Sequence, residues 1–364
     1  MTHRTILTAF IPFLLAGYPF ARAMDSLPRS LPEAQGVSST VILDFVKAAD
    51  KEVDTMHSFM IVRHGKVVSE GWWEPEGADK PHIMNSLTKS FTSTAIGLAI
   101  RDGKLSLDDR VLKFFPEDAP KDPSDNLKAM TVRHLLTMTC GHESEAKTGG
   151  KPTAKQFLDN PVPHEPGTFF KYNTLGSYVL SAIVTKVTGQ TTLEYLTRRL
   201  FEPLGINTPQ WNTSAEGISI GGYGLYLRTE DIAKFGQLVL QKGNWNGKQL
   251  IPRDWIEQAT SKQVSNAVEN RTQGLDWQQG YGFQFWQCQH DAVRGDGAGG
   301  QFCIVIPGLD VVIAITAQTR NMQGILDVVW ESLLPAFHDK ALPDDSAARE
   351  TLKKAIAILA AHGK

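Results

Sequence analysis

The chain has 364 residues, with 37 lysines and arginines against 39 aspartates and glutamates, a formal net charge of −2. With 41% hydrophobic and 21% charged residues, it has ordinary globular composition and enough length for a core that hides a reaction site from water. No basic block stands out, which argues against a nucleic-acid partner, and no internal repeat or low-complexity tract is present.

Residues 1–23 have the pattern of a secretory signal peptide. Arg4 sits in a short positive start, an apolar run extends from Ile6 to Gly17, and Ala21 and Ala23 occupy the −3 and −1 positions of a cleavage site. The run is too short to span a bilayer. The expectation is an exported protein, periplasmic or secreted, that begins near Met24 and has no stable membrane insertion. Cys140, Cys288 and Cys303 are the cysteines, so at least one thiol is unpaired within the chain. An oxidising compartment permits a Cys288–Cys303 bridge; burial of all three as small hydrophobes is the alternative.

In chain order, Thr40 to Ala49 has helical spacing. His57 to Val62 and Lys66 to Trp73 read as strands around a His64-Gly65 hairpin turn. From Asn85 to about Gly103 the pattern is helical. Thr131 to Met138, Thr174 to Thr188, Thr192 to Phe201 and Glu230 to Gln241 follow, with Gly189 and Gly243 closing two of these helices. Strands return at Tyr281 to Cys288, Gln301 to Ile306 and Val311 to Ala317, separated by Gly-rich or Pro-Gly turns. A helix from Met322 to Phe337 comes next, then an amphipathic tail helix with no evident packing partner.

Strands at both ends and helices between them predict an α+β fold. One antiparallel sheet is expected from the N- and C-terminal strands, flanked by helices, with an inserted, mostly helical lobe. The expected divisions are 24–85 plus 245–340 for the sheet lobe, 86–244 for the helical lobe and 341–364 for the tail.

Asn85-Ser86-Leu87-Thr88-Lys89 opens the helix after the first hairpin. Residues three apart share a helical face, so Ser86 and Lys89 can touch. A serine hydroxyl needs a base to take its proton. A lysine can serve once burial or positive surroundings lower its pKa, and a helix N-terminus supplies partial positive charge. The same dipole and the Ser86 N–H favour an oxyanion. Small residues at Ser90, Thr92, Ser93, Thr94, Ala95, Gly97 and Ala99 suit a helix packed on most sides, which would bury Lys89. The motif alone is weak, because Ser144-Glu145-Ala146-Lys147 also matches it, in a polar loop.

Longer stretches add specificity. Ser86-Leu87-Thr88-Lys89, Thr131–Thr137, Glu165–Asn173, Gly221–Leu225 with Glu230–Gly236, and Gly297-Ala298-Gly299-Gly300-Gln301-Phe302 together resemble the beta-lactamase-related serine hydrolase family. That family includes class C beta-lactamases, D,D-peptidases, esterases and the hydrolase of nylon oligomers. The resemblance runs from about Leu31 to Phe337 and implies the beta-lactamase/transpeptidase-like fold.

It also implies that Tyr172 faces Ser86 and Lys89 across a cleft, with Lys89 and Tyr172 sharing the role of base. The backbone N–H groups of Ser86 and Gln301 would form the oxyanion hole, and Asn173, Tyr223, Ala298, Gly299 and Gly300 would line the substrate site. Two positions depart from the family pattern. The asparagine follows the tyrosine directly, as Asn173, with Thr174 as its stand-in. Ala298 occupies the place of the cation that meets a beta-lactam's carboxylate, leaving Arg294 to compensate and Asp296 to repel an acid.

The expected function is therefore cleavage of an ester or amide through an acyl-enzyme on Ser86, with a small-molecule or peptide-like substrate. A cell-wall D,D-peptidase or beta-lactamase is the alternative, and a non-catalytic peptidoglycan- or peptide-binding member is a second. Trp72, Trp73, His82 and His142 are further candidates for the cleft, with a structural role favoured for each. The spacing of histidines and carboxylates suggests no metal, and no cofactor is expected.

Overall fold

The structure is a computed structural model that describes residues 26–267 and 274–361. The predicted signal peptide lies outside the described residues. The helices are α1 (Ser39–Glu52), α2 (Thr88–Arg101), α3 (Asp125–Ala129), α4 (Val132–Leu136), α5 (Ala154–Leu158), α6 (Thr174–Thr188), α7 (Thr192–Leu196), α8 (Thr229–Leu240), α9 (Arg253–Ala259), α10 (Met322–Val328) and α11 (Ser346–Leu359). The strands are β1 (Met56–Arg63), β2 (Lys66–Trp72), β3 (His82–Ile83), β4 (Gln210–Trp211), β5 (Leu225–Leu227), β6 (Asn244–Trp245), β7 (Lys248–Gln249), β8 (Trp286–Gln287), β9 (Val293–Gly297), β10 (Gln301–Ile306) and β11 (Val311–Ala317).

Six strands form one antiparallel sheet in the order β2-β1-β11-β10-β9-β8. The early hairpin thus joins the late strands, as the α+β reading expects. Side chains alternate across a strand, and here both faces are covered. Met60, Val62, Cys303, Val305, Val312 and Ala314 face a core shared with α2, α6 and α8. Phe59, Ile61, Phe302, Ile304, Ile313 and Ile315 face a second core shared with α1 and α10. This explains why β10 and β11 read as unbroken apolar runs.

The structure corrects two strand expectations. Only Trp286–Gln287 of the Tyr281–Cys288 run joins the sheet, because the backbone at Gln284 turns to φ 64 and interrupts the extended path. Conversely, Val293–Gly297, read as a Gly-rich turn, is an inner strand buried along its whole length. Its polar side chains neutralise each other: Arg294 Nη2 lies 3.0 Å from Asp296 Oδ2. The tail helix α11 also finds a partner. It packs on α1 and β2, buries Leu352 and Leu359, and pairs Arg349 with Glu33 at 3.0 Å. Cys140, Cys288 and Cys303 are all buried free thiols, so the Cys288–Cys303 bridge does not form. Among the described residues, no helix is long and apolar enough to cross a membrane.

A small second sheet, β3-β5-β4, lies beside the turn at Ser86. His82 pairs with Leu227 and Ile83 with Tyr226, and Met84 N–H donates to Leu225 O at 2.7 Å. This sheet fixes the chain on both sides of the turn that carries Ser86.

Candidate active site

Ser86 sits in a short 3-10 turn, Asn85–Leu87, one step ahead of α2. The expected helix from Asn85 begins with this tighter turn because Asn85 adopts a left-handed φ of 45. Asn85 Nδ2 donates to Ala298 O at 2.6 Å, tying the turn to the loop between β9 and β10. Packing there is close: a Cβ on Gly297 would lie 2.1 Å from Met84 O, so only glycine fits.

Lys89 is fully buried, and its Nζ is 3.0 Å from Ser86 Oγ, 2.8 Å from Gly222 O and 3.5 Å from Thr174 Oγ1. Burial lowers its pKa from 10.5 to about 7, against the opposing pull of Glu145 and Asp296. A neutral amine has two N–H donors and one lone pair. Gly222 O and Thr174 Oγ1 take the donors, which leaves the lone pair for the Ser86 hydroxyl. A Cβ on Gly222 would lie 2.5 Å from Thr174 Cγ2, so glycine is what brings that carbonyl to the amine.

Tyr172 stands on the other side of Ser86 and hydrogen-bonds it. Its ring stacks on Trp286 at 5.5 Å, meets Tyr281 edge-on at 6.3 Å, and lies 4.9 Å from Lys89 Nζ. Burial, with Asp296 adding to it, pushes the phenol well above its usual range, and the bond to Ser86 only partly opposes this. Burial thus favours the protonated phenol at neutral pH.

The structure reassigns other predicted residues. Asn173 is buried, accepts from Gly176 N–H at 2.9 Å as the cap of α6, and lies 3.4 Å from His142 Nδ1. It serves the helix end, and Thr174 provides the polar contact to Lys89. Arg294 cannot replace the missing cation at Ala298. It is fully buried, and it donates to Asp296 Oδ2, Asp276 O and Cys288 Sγ. Ala298 is exposed and Gly299 partly so, Gly300 is buried, and Tyr223 is half-buried in the turn before β5. Gly299 and Gly300 have φ of 87 and 97, and they lead directly into Gln301, the first residue of β10. The turn with Ser86 packs on β9 and β10, which brings Ser86 and the Gln301 segment together. Ser144 and Lys147, the second motif match, are exposed in a loop.

Two contributors escaped the sequence. The Gly222 carbonyl is a backbone group, so no side-chain pattern announces it. Glu145 accepts from Leu175 N–H at 2.6 Å and acts on Lys89 through space. Asp296, which the sequence did single out, also acts on Lys89 through space, from an inner strand.

Comparison with known proteins places this geometry in context. An uncharacterized protein, BpOF4_21049 of Alkalihalophilus pseudofirmus, is 26% identical over 271 residues, covering 65% of this chain and 75% of that protein. The fold matches EstCE1, described as a hydrolase with promiscuous acyltransferase activity, with a TM-score of 0.67 and 18% identity over 82% of this chain and 99% of that one. It also matches the octameric penicillin-binding protein homologue from Pyrococcus abyssi, with a TM-score of 0.64 and 21% identity over 84% and 79% of the two chains. The family model described as Beta-lactamase matches residues 49–330, and the chain belongs to that family.

Proposed function

We propose that this protein is a serine hydrolase that cleaves an ester or amide through an acyl-enzyme on Ser86. The observation that carries this reading is a buried amine 3.0 Å from the Ser86 hydroxyl, whose pKa of about 7 leaves it substantially neutral at working pH. A general base with a pKa near the operating pH is the effective one.

Ser86 Oγ attacks the substrate carbonyl carbon while its proton passes to Lys89 Nζ. The N–H groups of Ser86 and Gln301 hold the resulting oxyanion. As the tetrahedral species collapses, the bond to the leaving group breaks and that group takes a proton from Tyr172, which is replenished from the Lys89 ammonium. Water then attacks the acyl-enzyme, Lys89 accepts its proton, and the acid is released with Ser86 restored.

Substrate preference follows from charge. No cation stands at Ala298, Arg294 and Asp296 are committed to each other, and Glu145 lies near Lys89. A neutral or cationic ester or amide fits these surroundings better than the carboxylate of a beta-lactam or of a D-Ala-D-Ala terminus. A panel of short acyl p-nitrophenyl esters, amino-acid amides, nitrocefin and a D-Ala-D-Ala peptide tests this. The esters and amides are expected to have kcat/KM at least about 100-fold above nitrocefin, as loss of one charge-assisted contact implies. Faster turnover of nitrocefin or the peptide would give the cell-wall reading instead. A folded protein that turns over none of them and resists a fluorophosphonate would be a ligand-binding member.

A further inference from the structure

No metal motif is evident from sequence spacing, yet folding gathers three donors outside the Ser86 site. We infer that His57, Glu76 and His82 form a binding site for a divalent transition metal of the Zn2+ type. One donor atom from each lies within 4.8 Å of the others. His82 Nε2 is 3.0 Å from Glu76 Oε2. The two imidazoles face each other with centroids 5.0 Å apart and planes inclined by 32°. His57 Nδ1 is buried and has no hydrogen-bond partner, although a buried imidazole nitrogen ordinarily finds one.

The backbone holds the three residues in place. Trp73 N–H donates to the His57 carbonyl at 2.9 Å, and Glu76 N–H donates to the Trp73 carbonyl at 2.8 Å, so the turn bearing Glu76 is anchored on His57 itself. His82 is held in β3 opposite Leu227. The side chains of His82 and Glu76 keep 11% and 19% of their exposure, which leaves an entry path and room for a water ligand. Two imidazoles and one carboxylate are a donor set suited to Zn2+, Co2+ or Cu2+, not to Mg2+ or Ca2+. Bonds of about 2.0–2.1 Å in tetrahedral geometry place donors roughly 3.3 Å apart, so side-chain rotations of about 1 Å close the site. Lys80, whose ammonium bonds the Pro75 carbonyl, is the nearby cation opposing the ion.

A bound ion would join β1 to β3, the strand that leads into the Ser86 turn four residues later. Its role is then to brace the wall of the reaction site, and the inference does not depend on the hydrolase reading.

The test uses the chelator-stripped, folded chain, titrated with ZnCl2 by calorimetry and with CoCl2 by visible absorbance. One equivalent should bind with micromolar or tighter affinity. Co2+ should develop the intense d–d bands of a tetrahedral N/O site, and Zn2+ should raise Tm. His57→Asn, Glu76→Gln and His82→Asn should each weaken binding by at least about 10-fold, with circular dichroism confirming the fold. If one variant fails to fold, the other two carry the comparison. Absence of saturable binding, or an unchanged isotherm in a folded His57→Asn/His82→Asn double variant, would overturn the inference.

Discussion

Ser86→Ala is expected to lower kcat by about 10⁴–10⁶-fold on every ester or amide the protein cleaves, since removing a nucleophile leaves only binding and oxyanion stabilisation. Stability should fall by no more than about 1–3 kcal/mol, since alanine leaves the buried Tyr172 hydroxyl without its Ser86 partner. Urea denaturation of the variant beside the parent checks this. The combination matters, because a large loss of stability would make the loss of activity uninformative. Residual activity above about 1% of the parent, an arbitrary threshold far above the expected remainder, would point to a different nucleophile.

Lys89→Met should abolish hydrolysis and yet make the protein more stable. The folded state holds Lys89 at a pKa of about 7 against an ordinary 10.5, so the unfolded chain binds more protons between those values. Stability therefore rises with pH across about pH 7 to 10.5, and the cost of the buried amine is complete below pH 7. From the shift, that cost is about 5 kcal/mol below pH 7 and about 3 kcal/mol at pH 8. Methionine has similar length and no charge. It leaves the Gly222 carbonyl without its donor, at about 1–3 kcal/mol. The net expectation is a gain of about 0–2 kcal/mol at pH 8 and about 2–4 kcal/mol at pH 6, turning to a loss of about 1–3 kcal/mol above pH 10.5. Urea denaturation of both proteins at pH 6, 8 and 10 reads this directly. A variant less stable than the parent at pH 6 would mean that Lys89 is charged and well satisfied in the fold, which is incompatible with its use as a base.

Contiguous patterns were the legible part of the fold and the site. β10 and β11 were visible as apolar runs because the sheet is covered on both faces. Ser86 and Lys89 were visible because a three-residue spacing survives the change from α-helix to 3-10 turn. Tyr172 rested on a resemblance, since nothing local distinguishes it from a core tyrosine. What failed depends on direction and distance. Arg294 and Asp296 looked like free charges beside the substrate, but as inward-facing residues of β9 they neutralise each other. The capping of α6 by Asn173 was not legible either, since it depends on where the helix starts. His57, Glu76 and His82 are separated by up to 25 positions in the chain, and only the anchoring of the Trp73–Glu76 turn on β1 brings them together.

The rate at which a fluorophosphonate modifies the native protein, followed by intact mass from pH 5 to 9 with the modified residue identified by peptide mapping, puts the pairing of hydroxyl and amine to trial. Modification should fall on Ser86 alone and rise with pH to a plateau, half-complete near pH 7, where Lys89 loses its proton. A flat profile, a rate still climbing without a plateau at pH 9, or modification at another residue would contradict it.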